Sequence, residues 1–156
     1  DPLLRHPKIP SSDPVSKANF TTALEAEAAF YQALAQGNVD ALMAVWSEEE
    51  EVVCVHPGGP RIVGLAAVRE TWRQILSNGN ALKIDVSQAV VSASAMMAMH
   101  CVFERVGAEG QMQRGPTLAA TNVYVRGPKG WRMVLHHASP IPVRADFGDL
   151  SPRVVH

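Results

Sequence analysis

The chain has 156 residues, of which 47% are hydrophobic and 19% charged, and its formal net charge is -1. This length predicts one domain with a substantial core, and the near-neutral charge argues against nucleic-acid binding. No apolar run approaches the roughly 18 residues of a membrane helix, and the first residues lack the apolar core of a signal peptide, so we expect a cytoplasmic protein. Cys54 and Cys101 fall in predicted buried strands, where we expect reduced thiols.

The first predicted elements are two helices that follow a proline-rich segment. Residues 1–17 contain four prolines and little periodicity, so we interpret them as an N-terminal arm. A capping box at Thr22 begins the first helix, and Gly37 is well placed to end it. Asn38 is positioned to cap a second, short helix. The predicted apolar stripe of the first helix comprises Phe20, Leu24, Ala28, Tyr31 and Leu34.

A β-branched run around Cys54 predicts the first strand, which ends at His56. Residues 57–60 follow at once as Pro, Gly, Gly and Pro and force a turn, so His56 lies at the exit of this strand. Ile62 and Val63 predict a short second strand. The third helix is predicted from apolar residues at helical spacing, which are Leu65, Val68, Trp72 and Ile75.

The second half of the chain is predicted to form four strands joined by turns. Their spans are Leu82 to Ala93, Ala95 to Val106, Pro116 to Arg126 and Trp131 to Ser139. Helices followed by a run of strands predict an α+β domain, with the helices packed on one face of a curved sheet. We place this domain at residues 18–140 and interpret residues 141–156 as a C-terminal tail.

Three segments carry a resemblance to a known family. They are A-F-Y-Q-A-L-A-Q-G-N-V-D-A-L (29–42), V-C-V-H-P-G-G-P-R-I-V-G-L-A-A-V-R-E-T-W (53–72) and G-W-R-M-V-L-H-H-A-S-P (130–140). They resemble the nuclear transport factor 2-like superfamily, in its SnoaL-like and ketosteroid-isomerase-like branch. The resemblance implies a cone-shaped half-barrel, a curved and mostly antiparallel sheet with three helices on its concave face. It also implies a pocket between the helices and the sheet, and a homodimer formed through the convex face. We expect the ligand to be a small apolar molecule, and we expect no cofactor or metal.

The steroid isomerases of this family place a general-base aspartate at the end of the first strand, before a proline, and His56 occupies that position. Imidazole titrates near neutral pH and can accept a proton from carbon or oxygen. The alternative is that His56 only ties down the turn at residues 57–60. The family's phenolic donor falls on Phe30, which has no hydroxyl, and its protonated aspartic acid falls on Asn122. Each such donor contributes about 2.7 to 4 kcal/mol, so the resemblance argues against a true steroid isomerase.

His136 and His137 are adjacent on a predicted strand, so their side chains point to opposite faces and cannot form a metal pair. The resemblance places the face of Trp131, Met133, Leu135 and His137 on the concave side. We therefore expect His137 to enter the pocket and His136 to lie on the convex face. The alternative for both is an ordinary hydrogen-bonded sheet histidine.

Several further side chains have more than one interpretation. His100 and Glu104 share a strand face and fit either a proton-relay pair or a surface salt link. The acidic run at residues 48–51 is interpreted as a solvated turn rather than a metal site. The aromatic candidates are equally candidates for the core. The predicted ligand-binding residues are Phe30, Trp46, Trp72, Phe103, Tyr124 and Leu135.

Two main hypotheses follow for the function. The first is a homodimeric pocket protein that catalyses isomerisation, cyclisation or dehydration by proton transfer on an apolar carbonyl compound. In it His56 is the base, and Asn122 and His137 orient or polarise the substrate. The second is a non-catalytic binding or assembly domain. A third, a subunit of a larger enzyme docked by its tails, is also considered. The sequence has no nucleophile-elbow, phosphate-loop, zinc-protease or zinc-finger motif.

Overall fold

The computed structural model of the protein describes residues 19–107 and 115–142. Every predicted helix and strand is present. The predicted N-terminal arm and the tail beyond residue 142 lie outside the described residues. The helices are α1 (Ala23–Gln36), α2 (Val39–Met43) and α3 (Leu65–Ile75), with a 3-10 turn at Ser77–Gly79. The strands are β1 (Val53–Val55), β2 (Arg61–Val63), β3 (Lys83–Ala93), β4 (Met97–Gly107), β5 (Thr117–Gly127) and β6 (Gly130–Pro140).

Capping side chains set the helix boundaries at the predicted positions. Thr22 Oγ1 accepts a hydrogen bond from the backbone N–H of Glu25 at 3.1 Å, and Asn38 Oδ1 accepts one at the start of α2 at 3.0 Å. Gly37 ends α1 with a φ of 63°, which favours glycine. Of the predicted stripe, Leu34 is buried and Phe20 and Tyr31 pack half-buried against the core, whereas Leu24 is 66% exposed and Ala28 is also exposed. The buried residues of α1 are Ala23, Ala26, Glu27, Phe30, Ala33 and Leu34.

The six strands form one open sheet in the order β2-β1-β6-β5-β4-β3. Neighbouring strands are antiparallel except for β1 and β6, which run parallel. Helix α1 packs across β3, β5 and β6, so one side of the sheet is the helix-covered face and the other is the outer face. This confirms the predicted α+β fold with three helices on a mostly antiparallel sheet. Within the described ranges, no helix combines the length and apolarity needed to cross a membrane.

A β-bulge in β6 decides which of the paired histidines faces the helices. The register between β5 and β6 shifts between Val123 and Tyr124, so Val134 is an extra residue in β6. An extra residue moves the alternation of side chains by one position. As a result His136 is buried on the helix-covered face, whereas His137 is exposed on the outer face. The predicted faces of the two histidines are therefore wrong, because regular alternation does not hold across the bulge.

Candidate functional site

Seven polar side chains meet between α1 and the helix-covered face of the sheet, at a depth where apolar residues are expected. Six of these seven are exposed by no more than 8%, and the seventh, Tyr31, is half-buried. Strand alternation explains the positions in β4 and β5, where alternate residues face α1 and His100 lies opposite Asn122. We call this set the buried polar network. Its members are Glu27, Tyr31, His100, Glu104, Asn122, Tyr124 and His136.

One branch of the network is a directed chain of hydrogen bonds from β6 to β4. His136 Nδ1 lies 2.6 Å from Asn122 Oδ1, and Asn122 Nδ2 donates to the Tyr31 hydroxyl at 2.8 Å. The Tyr31 hydroxyl in turn donates to Glu104 Oε2 at 2.6 Å. Each group thus donates to the next, and the chain ends on a carboxyl group that has only accepted.

The second branch converges on Glu27 of α1. Its Oε2 lies 2.8 Å from His100 Nδ1 and accepts a hydrogen bond from the Tyr124 hydroxyl at 2.8 Å. Asn122 Nδ2 also donates to it, at 3.4 Å. A carboxylate in the interior is stabilised by such multiple donors, so Glu27 holds α1, β4 and β5 together.

The protonation of the network follows from its burial. Burial raises the pKa of Glu104, the hydrogen bond from Tyr31 lowers it, and the negative charge of Glu27 raises it again, for a net increase. Burial likewise raises the pKa of Tyr31 and of Tyr124, so both hydroxyls keep their protons. Two carboxyl groups in one interior disfavour a second negative charge, and Glu104 is the one displaced toward its neutral form.

His136 is a neutral imidazole with a defined tautomer. Burial lowers the pKa of His136 to about 3, with smaller effects of His56 and His137. Asn122 donates through Nδ2 to Tyr31, so its Oδ1 is the acceptor and His136 Nδ1 must carry the proton. His136 Nε2 therefore carries the lone pair, and it forms no hydrogen bond with a described residue.

His56 lies at the exit of β1, as predicted, and is also held by a hydrogen bond. Its Nε2 lies 3.0 Å from Thr71 Oγ1, and that hydroxyl donates to the Val68 carbonyl at 2.8 Å. Thr71 has no second proton to give, so His56 Nε2 donates and Nδ1 carries the lone pair. Burial lowers the pKa of His56, which favours the neutral form. Burial raises the pKa of the adjacent Cys54 thiol to about 12, so this group is not a thiolate nucleophile.

Aromatic rings link the two imidazoles. Trp72 lies edge-on to His56, with ring centroids 4.6 Å apart, and 5.8 Å from the His136 ring. Phe30 contacts the His136 ring at 5.0 Å and lies 5.9 Å from Trp72 and 6.5 Å from Trp46. Two neutral imidazoles, those of His56 and His136, therefore lie beside one cluster of aromatic rings.

The structure sorts the predicted site residues into two groups. Five lie in the interior beneath the helices, namely Asn122, Phe30, Trp46, Trp72 and Tyr124, and half-buried His56 borders it. The other three predicted residues, His137, Leu135 and Phe103, do not point into that interior. His137 and Leu135 are turned outward by the bulge in β6. Phe103 is on the outer face because alternate residues of β4, including His100 and Glu104, occupy the helix-covered face.

Three members of the site were not predicted. The family pattern placed the phenol at position 30, which is Phe30 here. Tyr31, the next residue, supplies a phenol instead. Glu27 falls among the apolar positions of α1, and a charged residue on an apolar stripe is the signal that could have identified it. His136 could be found only from the bulge. His100 and Glu104 were expected as a relay pair or surface link, but each is buried with a different partner on α1.

The acidic run at residues 48–51 is a separate surface feature. Glu48, Glu49 and Glu50 are exposed, as predicted, and line a groove with Trp46 and residues 125–130. Lys129 Nζ lies 3.8 Å from Glu48 Oε2 at this groove. Within residues 19–107 and 115–142, no three His, Cys, Asp or Glu side chains are placed to hold a metal ion.

A family model described as a SnoaL-like domain matches residues 24–144. The chain belongs to the SnoaL-like domain family. Solved NTF2-like structures share its fold, which confirms the predicted superfamily and its cone-shaped α+β architecture. The narrower resemblance to the ketosteroid isomerases stays a prediction. Proteins with curated descriptions include no significant match to this SnoaL-like chain.

Three solved structures illustrate the similarity. A putative calcium/calmodulin-dependent protein kinase type II association domain from Thiobacillus denitrificans is 38% identical, with a TM-score of 0.70, covering 79% of this chain and 98% of that one. A putative dehydratase of the NTF2-like family from Streptomyces avermitilis is 28% identical, with a TM-score of 0.65 and coverages of 74% and 91%. An NTF2-like protein of unknown function from Pseudomonas putida, 16% identical with a TM-score of 0.65 and coverages of 78% and 87%, shows the fold alone.

Proposed function

We propose that this SnoaL-like protein binds a small apolar carbonyl compound and catalyses proton transfer on it, as in an isomerisation, cyclisation or dehydration. The observation that carries the proposal is the neutral His136, whose tautomer is fixed by Asn122 and whose Nε2 lone pair lies among aromatic rings. His136 Nε2 makes no hydrogen bond within the described residues, so its lone pair is available to accept a proton.

Each imidazole has a defined part in this proposal. His136 Nε2 and His56 Nδ1 are the two lone pairs able to accept a proton from a carbon next to the carbonyl group. When His136 accepts the proton, the charge on the ring strengthens the hydrogen bond from its Nδ1–H to Asn122. Asn122 is thus a positioning residue.

The test is exchange of α-hydrogen for deuterium in D2O, which needs no knowledge of the natural product. Acetophenone is incubated with the protein, and deuterium uptake is followed by mass spectrometry. We expect catalysed exchange, and a loss of about 100-fold or more in His136→Gln or His56→Gln, whichever removes the base. His137→Gln is the matched control, since its ring is exposed on the outer face. Equal exchange in all three variants would refute the proposal.

A second candidate function is an assembly domain that dimerises through the outer face, and an exposed apolar surface favours it. The end of the β3–β4 hairpin and the adjacent part of β4 expose several large apolar side chains, which is unusual for a free surface. The T. denitrificans relative, 38% identical, is itself described as an association domain. On the outer face the exposed residues are Val90, Met97 and Met99, with Met96 in the hairpin turn, whereas the exposed Val91 lies opposite His100 on the other face.

We test the assembly proposal with one outer-face substitution. Met99→Lys places a charge on this apolar surface, and we expect it to convert a dimer into a monomer in sedimentation velocity. Lys83→Met, at the other end of β3, is the control and should leave the dimer unchanged. The concentration of 100 μM is well above the dissociation constant of a typical stable dimer. A wild-type chain that is still monomeric at this concentration would therefore rule out the homodimer. Cytoplasmic location stays a prediction.

A further inference from the structure

The interior contains a polar group that the described chain leaves without a partner. Among residues 19–107 and 115–142, the fully buried side-chain nitrogen or oxygen atoms that make no hydrogen bond are the indole Nε1 atoms of Trp46 and Trp72. Buried donors are nearly always paired, so each exception requires an explanation. Both are donors, and both belong to the aromatic rings around Phe30.

We infer that the indole N–H of Trp72 is the hydrogen-bond donor to the carbonyl oxygen of an uncharged ligand. This inference rests on the proposed function and names the group that would hold the substrate. Trp72 is 3% exposed, and its ring contacts both His56 and His136. An acceptor bound to Trp72 Nε1 would therefore lie on the ring that also contacts the two imidazoles. Within the described part of the chain, Trp46 makes a ring contact with Phe30 and none with either imidazole.

The phenol groups nearby are not available for this task. Tyr31 donates its hydroxyl proton to Glu104, and Tyr124 donates its proton to Glu27. A hydroxyl has one proton, so neither can donate to a ligand without breaking a bond to a buried carboxyl group. The family resemblance expected a phenolic donor at position 30. Trp72 supplies a donor instead, from a different position in the fold.

The charges of the interior select the ligand class. Glu27 and Glu104 accept hydrogen bonds only from His100, Asn122 and tyrosine hydroxyls, and no lysine or arginine of the described residues joins the network. An anionic ligand would bring a further negative charge into an interior that already disfavours a second one, and the network offers no lysine or arginine to pair with it. The site therefore fits an uncharged ketone or aldehyde better than a carboxylate of the same shape.

The experiment compares three probes of nearly the same size: acetophenone, benzoate and ethylbenzene. The indole N–H resonances of ¹⁵N-labelled protein are followed during titration of each. We expect acetophenone to move the Trp72 resonance downfield, and to bind about 3- to 10-fold more tightly than ethylbenzene, as one added neutral hydrogen bond allows. Benzoate should bind more weakly than acetophenone.

Two variants separate donation from ring packing. Trp72→Phe keeps a ring but removes the N–H, so it should lose about 3- to 10-fold in acetophenone affinity and nothing for ethylbenzene. Trp131→Phe is the matched control and should bind as the wild-type chain does. The titration of wild-type protein needs no variant to fold. An unmoved Trp72 resonance at saturating acetophenone, no saturable binding of acetophenone, or benzoate binding as tightly as acetophenone, would each overturn the inference.

The inference and the proposed function fail in different ways. If acetophenone moves the Trp72 resonance but its α-hydrogens do not exchange, the binding role stands and the catalytic role falls. If exchange is catalysed and Trp72→Phe changes neither affinity nor rate, catalysis stands and the role of Trp72 is wrong.

Discussion

His136 should make the folded state less stable as the pH falls, because its imidazole is held neutral in the interior. Burial lowers the pKa of this side chain from 6.5 to about 3. Between these values the unfolded chain binds a proton here that the folded chain does not, so the free energy of unfolding decreases with decreasing pH. The pKa difference corresponds to about 2 kcal/mol lost between pH 7 and pH 5. The loss continues toward pH 3.

The substitution His136→Gln removes this titration. Urea denaturation followed by tryptophan fluorescence at pH 7, 6 and 5 gives the free energy of unfolding at each pH. We expect the variant to lose about 2 kcal/mol less than the wild-type chain over this range. His137→Gln, on the exposed neighbour, should keep the wild-type pH dependence. If the wild-type chain and His136→Gln show the same pH dependence, the reasoning is refuted, because His136 then titrates alike in both states.

Three further substitutions or reactions test the interior. Asn122→Leu should lower the free energy of unfolding by about 3 kcal/mol, because it leaves buried groups on α1 and β6 unpaired. Thr121→Val, on the outer face, is the control and should lower it by less than about 1 kcal/mol. Urea denaturation measures both changes. Tyr124→Phe should cost about 1.5 to 3 kcal/mol by removing a hydrogen bond to the Glu27 carboxylate, and a neutral effect would contradict this role. Burial raises the pKa of Cys54 to about 12, so iodoacetamide at pH 8 should modify it only in urea, as seen by mass spectrometry.

Local signals in the sequence were sufficient to predict the elements and their ends. Thr22, Asn38 and Gly37 act on backbone groups within four residues, so their effect does not depend on the rest of the chain. The same holds for the end of β1 at His56, because the proline and glycine residues at 57–60 directly follow it and prevent the strand from continuing. These positions agree between prediction and structure for that reason.

Faces of strands were less predictable than the strands themselves. Alternation predicts that Asn122 and Tyr124 share one face of β5, and the family resemblance identified Asn122 as a residue of the pocket. Phe103 was predicted to line the pocket but lies on the outer face. No local signal in the sequence indicates which of the two alternating sets of β4 residues faces α1. His137 and Leu135 failed because β6 contains the bulge at Val134, and bulges are set by pairing with another strand.

By itself the sequence determined the α+β order of elements, the family and the two residues, His56 and Asn122, that flank the interior. Only the tertiary structure decided that His136 rather than His137 enters it, that Glu27 and Tyr31 join it from α1, and that Trp72 keeps an unpaired donor. The physical reason is that a side chain's face, burial and hydrogen-bond partners depend on groups far away along the chain. His136 acquires its neutral state and its tautomer from Asn122 on a different strand, 2.6 Å away in space.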